Sequence, residues 1–243
     1  MQAKMEKQMR VLTGQCDNTG RMSIPSIFAL FMDLATEHGS DIKLGIDDLA
    51  EKDLFWLTVK TKVQIRRRPE LMTRITAETW PEAPGRISCN RYYTICQDGE
   101  RIVTGKSEWA IIEKTGGKLR RLSEVYPGDI EHCPDVVCED PYMRPSRDFS
   151  GCQVMGRYTV RSTDIDVGQH MNNVAYVKML FGMFSCSQLE EYRIREAEIA
   201  FHIPCLEGEE ITLCRRDVEG GMEIGMLNPE GKTAAIARLL LEA

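Results

Sequence analysis

No stretch of this 243-residue chain approaches the ~18 consecutive apolar residues of a membrane-spanning helix. The opening MQAKMEKQMRVL also lacks the apolar core of a signal peptide. Both absences lead us to expect a cytoplasmic protein with no membrane partner. A basic excess is missing too: the formal net charge is −6, which speaks against broad binding of nucleic acid, because phosphate affinity needs a basic face. The nine cysteines include no C-x-x-C pair and read as reduced thiols. HCPDVVC brings His132, Cys133 and Cys138 together, but no second motif with zinc-site spacing accompanies it, so no metal and no cofactor is expected. Histidine is scarce, at four residues. His38, near a helix end, and His202, inside a strand, read as structural.

What is present is a repeated order of elements. The first half predicts a strand near Gln8–Thr13, a helix from about Pro25 to His38, and strands over 54–66, 72–80, 86–97 and 101–113. Ile27, Leu30, Phe31 and Leu34 share one helix face, and the strands carry Val, Ile, Thr, Trp and Tyr in partial alternation. The second half predicts a strand near Gly156–Arg161, a helix from about Asn172 to Glu190, and strands near 196–203, 209–218, 222–228 and 233–242. Laid on each other with Gly20 on Gly168, the halves bring Asn18 to Asp166, Met22 to His170 and Phe28 to Tyr176; in the strands Val63 meets Ile199 and Ile75 meets Ile211. The segment GSDIKLGIDDLAEKD reads as a longer helix-to-strand connection in the first copy. Residues 123–150, with four Pro, read as a linker between an N-terminal domain over 1–122 and a C-terminal domain over 151–243. An α+β arrangement follows, in which each antiparallel sheet curls around one long helix.

One stretch concentrates the polar chemistry. STDIDVGQHMNNVAYVKMLFGMF (162–184) places Asp164, Asp166, His170, Asn172 and Asn173 at the mouth of an apolar helix. Each has a bland reading beside the functional one: Asn172 or Asn173 as a helix cap, Asp164 as an exposed turn residue, Cys205 as a small core residue. Arg66, Arg67, Arg68, Lys118, Arg120 and Arg121 form two basic runs, read as solvated strand ends or as docking points for an acidic partner. Trp56, Trp80 and Trp109 read as core, or as the wall of a tunnel.

DIDVGQHMNNVAY resembles the acyl-acyl-carrier-protein thioesterases, whose pattern is near D-x-D-x-N-Q-H-x-N-N-x-x-Y. DLFWLTVKTKVQIRRRPELMTRITAETW, NRYYTI and GKSEWAIIEKTGGKLRRL extend the resemblance over the first half, so that it spans about residues 8–242. It implies a double hotdog fold, an activity releasing free fatty acid from acyl carrier protein at the end of chain elongation, and a partner that carries the acyl chain on 4'-phosphopantetheine. It implies Asp166, His170 and Cys205 as catalytic groups. Where plant members place an asparagine two residues before the histidine, this chain has Gly168, and Pro204 stands where they place a glutamate before the cysteine. The groups that would orient a Cys–His–Asn arrangement are thereby lost, so activated water is favoured over a covalent Cys205 route.

A thioester carbonyl gains negative charge as it is attacked, and amides at a helix start can receive it. Those of Asn172, Asn173 and Val174 are therefore the expected substrate contacts, with Asp166 as general base or water-orienting group and His170 sharing that role or protonating the thiolate. An acyl-CoA thioesterase, a hotdog dehydratase of 3-hydroxyacyl thioesters, and a non-catalytic acyl-thioester binder stay open as alternatives. Pairing of an exposed sheet edge with a second copy would give a homodimer.

Overall fold

Alternation of apolar and polar residues becomes two sets of five antiparallel strands of the same design in the computed structural model, which describes residues 3–242. The chain divides into two compact units, Met1–Asp140 and Pro141–Ala243. In the first, β1 (Met5–Arg10), β2 (Leu54–Ile65), β3 (Arg74–Pro81), β4 (Ser88–Gln97) and β5 (Glu100–Glu113) lie in the order β1-β3-β4-β5-β2. In the second, β6 (Gln153–Thr159), β7 (Ile194–Phe201), β8 (Glu210–Val218), β9 (Gly221–Leu227) and β10 (Thr233–Leu241) lie in the order β6-β8-β9-β10-β7. Read as β1 for β6, β3 for β8, β4 for β9, β5 for β10 and β2 for β7, the two orders are identical.

Each set of strands is packed by a helix that starts just after a tight polar loop. In the first unit Ser23 caps α1 (Ile24–Asp41), its hydroxyl accepting from the Ser26 amide at 3.2 Å, and Pro25 occupies the first turn, where its missing N–H is harmless. The apolar face read from the sequence is the buried one: Ile27, Phe31 and Leu34 are fully enclosed, each contributing roughly 1.5–3 kcal/mol of burial. Phe31 stacks on Tyr93 of β4 with ring centroids 4.4 Å apart. Gly105 of β5 makes this approach feasible, since a Cβ there would stand 2.4 Å from the Phe31 ring. The connection after α1 is partly helical, with α2 at Ile46–Ala50. Five residues are too few for a helical period to emerge from the sequence.

The second unit departs from one long helix. α3 (Asn173–Gly182) stops, and α4 (Cys186–Tyr192) begins afresh. A reciprocal cap causes the restart: Ser185 Oγ accepts from the Gln188 amide at 3.2 Å, and Gln188 Oε1 accepts from the Ser185 amide at 2.9 Å.

Residues between the two repeats are anchored at both ends. Val125 and Ile130 join a core cluster with Ile42, Leu49, Leu54 and Ile111, and the Trp80 indole donates to the Asp135 carbonyl at 2.7 Å. Within the second unit, Phe149 packs with Ala200, Cys214 and Ile236. The Met143 amide there donates to the buried Glu198 carboxylate at 2.8 Å.

Candidate active site

The loop before α3 is closed by a short antiparallel bridge between Ile165 and Met171. Two backbone hydrogen bonds, from the Asp166 amide to the His170 carbonyl (3.0 Å) and from the Gln169 amide to the Asp166 carbonyl (3.0 Å), make it a compact turn. Gln169 takes a φ of +62° to complete it, a conformation that L side chains resist.

This turn fixes Asp166 on both oxygens. Oδ1 accepts from the Gly168 amide at 2.8 Å, and Oδ2 accepts from Asn172 Nδ2 at 3.3 Å. The Asn172 side chain does two things at once, because its Oδ1 accepts from the Val174 amide at 2.8 Å and so caps α3. One amide group ties the carboxylate to the helix start. Gly168 serves the acid through its backbone N–H.

The three expected substrate-binding amides are not equivalent. That of Asn172 donates to the Asp164 carbonyl at 2.8 Å, and that of Val174 is taken by the cap. The Asn173 amide, first in α3, has no acceptor among the described residues. It is the group able to receive an oxyanion without breaking an existing bond. Asp164 differs from the exposed turn residue expected: it is half-buried, and its carboxylate accepts from the Tyr158 hydroxyl and the Arg161 amide, both at 2.8 Å.

His170 is exposed, and its imidazole has no hydrogen-bond or ion-pair partner among the described residues. It belongs to the same turn as Asp166 without being bonded to its carboxylate. Cys205 is brought to the same mouth from the other side, its carbonyl accepting from the Met171 amide at 2.8 Å. It is fully buried. Burial pushes its thiol pKa up, outweighing the hydrogen bond to Tyr176, and the nearby Glu209 charge adds to the rise. A thiol so placed is protonated near neutrality, the opposite of an activated nucleophile. Tyr176, which the sequence reading left without a role, accepts from the Cys205 amide at 3.1 Å and locks this segment to α3; burial raises its own pKa.

The first unit carries the same loop, and its hydrogen bonds set the match of the two repeats one residue away from the sequence alignment. Cys16 bridges Met22 as Ile165 bridges Met171. The Asp17 amide donates to the Arg21 carbonyl, the Gly20 amide to the Asp17 carbonyl, and the Met22 amide to the Pro69 carbonyl. Asp17 therefore stands for Asp166, Gly20 for Gln169, Arg21 for His170, Met22 for Met171 and Pro69 for Cys205. The acid is retained in the first copy, but Arg68 forms an ion pair with it, and the imidazole and thiol positions hold other chemistry. Of the tryptophans, Trp80 is fully buried, while Trp56 meets Trp109 edge-on at 6.0 Å.

Comparison with known proteins follows the same two-part division. The pattern of the acyl-ACP (acyl-carrier-protein) thioesterase N-terminal domain matches residues 2–130, and that of the acyl-ACP thioesterase C-terminal domain matches residues 151–234. A chloroplastic acyl-[acyl-carrier-protein] hydrolase of Cuphea viscosissima is 28% identical over 174 residues, covering 65% of this chain and 41% of that protein. A chloroplastic palmitoyl-acyl carrier protein thioesterase of Arabidopsis thaliana is 25% identical over 193 residues, covering 76% of this chain and 46% of that protein. The chain thus spans about half the length of the curated relatives it matches. Among solved structures, an acyl-ACP thioesterase from Bacteroides thetaiotaomicron superposes with a TM-score of 0.85 at 21% identity, over 99% of this chain and 98% of that one. The 12:0-ACP thioesterase from Umbellularia californica gives 0.84 at 17% identity, over 100% and 98%. These likenesses establish the double hotdog fold, and with both halves matched in order the chain belongs to the acyl-ACP thioesterase family.

Proposed function

We propose that this protein hydrolyses acyl-ACP to free fatty acid and the carrier thiol, ending fatty acid synthesis, with water as the attacking group. The observation that carries the reading is the doubly held carboxylate of Asp166 beside the unsatisfied Asn173 amide. In the proposed reaction Asp166 accepts a proton as the water oxygen bonds to the thioester carbon. The carbonyl oxygen, now negative, is received by the Asn173 N–H and the positive end of α3. Collapse of the tetrahedral adduct breaks the C–S bond and expels the pantetheine thiolate, which His170 protonates. Cys205 acts as a packed wall beneath the site and stays uncharged.

Thiol-release kinetics on matched acyl-ACP and acyl-CoA substrates test the proposal. Asp166→Asn is expected to lower kcat by ~10²–10⁴, the usual span for a positioned acid–base group. His170→Ala is expected to cost less, because a thiolate leaves readily without a proton. Cys205→Ala should stay near the wild-type rate; a loss as large as that of Asp166→Asn would restore the covalent route. An enoyl product in place of free thiol would make the enzyme a lyase, and intact thioester after prolonged incubation would make the protein a binder.

A further inference from the structure

Tyr176 lies one turn beyond Asn173 in α3, buried, with its ring edge-on to Phe201 at 5.6 Å. Its hydroxyl accepts from the Cys205 amide at 3.1 Å and is hydrogen-bonded to the Cys205 thiol as well. The Cys205 carbonyl in turn accepts from the Met171 amide at 2.8 Å. Through its own backbone, Cys205 therefore grips the chain on both sides of residues 172–175, at Met171 before them and at Tyr176 after them.

The gripped segment holds the groups on which hydrolysis depends. Asn172 reaches back to the Asp166 carboxylate through Nδ2. Asn173 presents the N–H that has no acceptor among the described residues. An oxyanion donor and a base act only from fixed positions, and a displacement of about 1 Å can cost roughly a hundredfold in rate.

The first repeat keeps the frame of this arrangement and lacks the bond. With Met22 standing for Met171 and Ser23 for Asn172 as helix cap, Ile27 stands for Tyr176. The Met22 amide still donates to the Pro69 carbonyl at 2.8 Å. Ile27, however, has no hydroxyl to accept, and Pro69 has no N–H to give. Both ends of the bond are missing together, in the copy where Arg21 stands for His170 and Arg68 pairs with the acid. Ile27 is fully enclosed, so an apolar side chain satisfies the packing at this place. A buried hydroxyl adds a desolvation cost that packing does not require.

We infer that Tyr176 is a positioning residue for the reaction: acting through the Cys205 peptide, its hydroxyl holds the start of α3 so that the Asn173 N–H and the Asp166 carboxylate keep their places. This role rests on the hydrolytic reading above. It also gives Cys205 a use that needs its N–H and carbonyl rather than its sulfur.

Steady-state thiol release by the whole chain, on a series of saturated acyl-ACP substrates, tests it in Tyr176→Phe, Asp166→Asn and a control, Tyr126→Phe. Tyr126 also bonds a cysteine through its hydroxyl, Cys89 at 2.9 Å, but in the first unit. Its loss reports what removing a buried hydroxyl does to stability alone. Tyr176→Phe is expected to lower kcat roughly tenfold to a hundredfold. KM should stay within about twofold, because the displaced groups act on the transition state rather than on ground-state binding. Tyr126→Phe should lower the urea midpoint by a similar amount and leave kcat unchanged. Cys205→Pro removes the same N–H that Pro69 lacks and should lower kcat likewise. Combined with Tyr176→Phe it should cost no more than the worse single variant, since both delete one bond; losses that multiply would overturn the shared bond. Equal kcat in wild type and Tyr176→Phe, while Asp166→Asn fails, would overturn the role of Tyr176 and leave the hydrolytic reading standing. A deficit confined to KM, or matched by Tyr126→Phe, would make the hydroxyl purely structural and overturn the role too. Thioester left intact by the wild type would overturn the hydrolytic reading and this role with it.

Discussion

A single side chain, Asn172, carries the connection between stability and chemistry in the second unit. Its oxygen caps α3 while its nitrogen holds Asp166, and substitution can separate the two tasks. Asn172→Ala should lose about 1 kcal/mol of stability, the usual worth of such a cap, together with turnover. Asn172→Ser keeps a capping oxygen and loses the nitrogen donor, so urea unfolding should stay close to wild type while kcat falls. Equal turnover in Asn172→Ser and wild type would show that Asp166 needs no such tether. Gln169 offers a second test at this scale. Its φ of +62° matches the +71° of Gly20 in the first copy, so Gln169→Gly should relieve roughly 1 kcal/mol of net strain and raise the urea midpoint. Two Asn ahead of an apolar run made the cap legible in the sequence. The tether to Asp166 was not legible, because it depends on the chain folding back through the Ile165–Met171 bridge.

At the level of elements, the strands were easy to read because alternation survives wherever one sheet face is buried. The helices were harder. Apolar spacing runs on through Met183 and Phe184, which hides the restart at Ser185, although the Ser185–Gln188 pair is a cap signature in its own right. Matching the two loops failed by one residue for a similar reason: aligning glycine with glycine ignored that Gln169 adopts the conformation Gly20 adopts. The corrected match gives the first loop a defined acid response. Burial pushes the Asp17 carboxyl up, but hydrogen bonds from Thr19 and the pairing with Arg68 outweigh it and hold the pKa below the ordinary carboxylate value. A carboxylate depressed in the folded state stabilises it above the unfolded pKa, and that stabilisation disappears as pH falls through the lower, folded pKa. Asp17→Asn should therefore lower the melting temperature at pH 7, and the gap to wild type should close below about pH 4, near the unfolded carboxylate value. A gap that persists undiminished into acid would show that packing, rather than charge, is what Asp17 supplies.

For the molecule as a whole, the repeated element order made the fold class legible, and composition gave no warning of how deeply the tyrosines are enclosed. Tyrosine is ambiguous in a sequence because its ring packs in a core while its hydroxyl tolerates water. Here burial raises the pKa of Tyr92 and Tyr93 to about 12 in each case, with charge from Glu82 adding to the effect at Tyr92. The Tyr93 hydroxyl remains bonded to Ser107 at 2.7 Å. Tyr126 is pushed well above its ordinary value, and Tyr158 is raised as well, burial being the first cause for both. An unfolded tyrosine ionises near pH 10, so between that pH and the higher folded values the unfolded chain releases protons that the folded chain retains. Stability conferred by these groups is complete below about pH 10 and is lost as pH rises toward 12. Base unfolding should accordingly be cooperative, with the tyrosinate absorbance of the buried rings appearing in one step together with loss of the circular dichroism signal. A gradual titration of all seven tyrosines near pH 10, with the fold intact, would contradict the enclosure of these rings. Tyr93→Phe should weaken the alkaline transition by removing one of the protons retained on folding, and the midpoint should move to higher pH by an amount readable in the same absorbance scan.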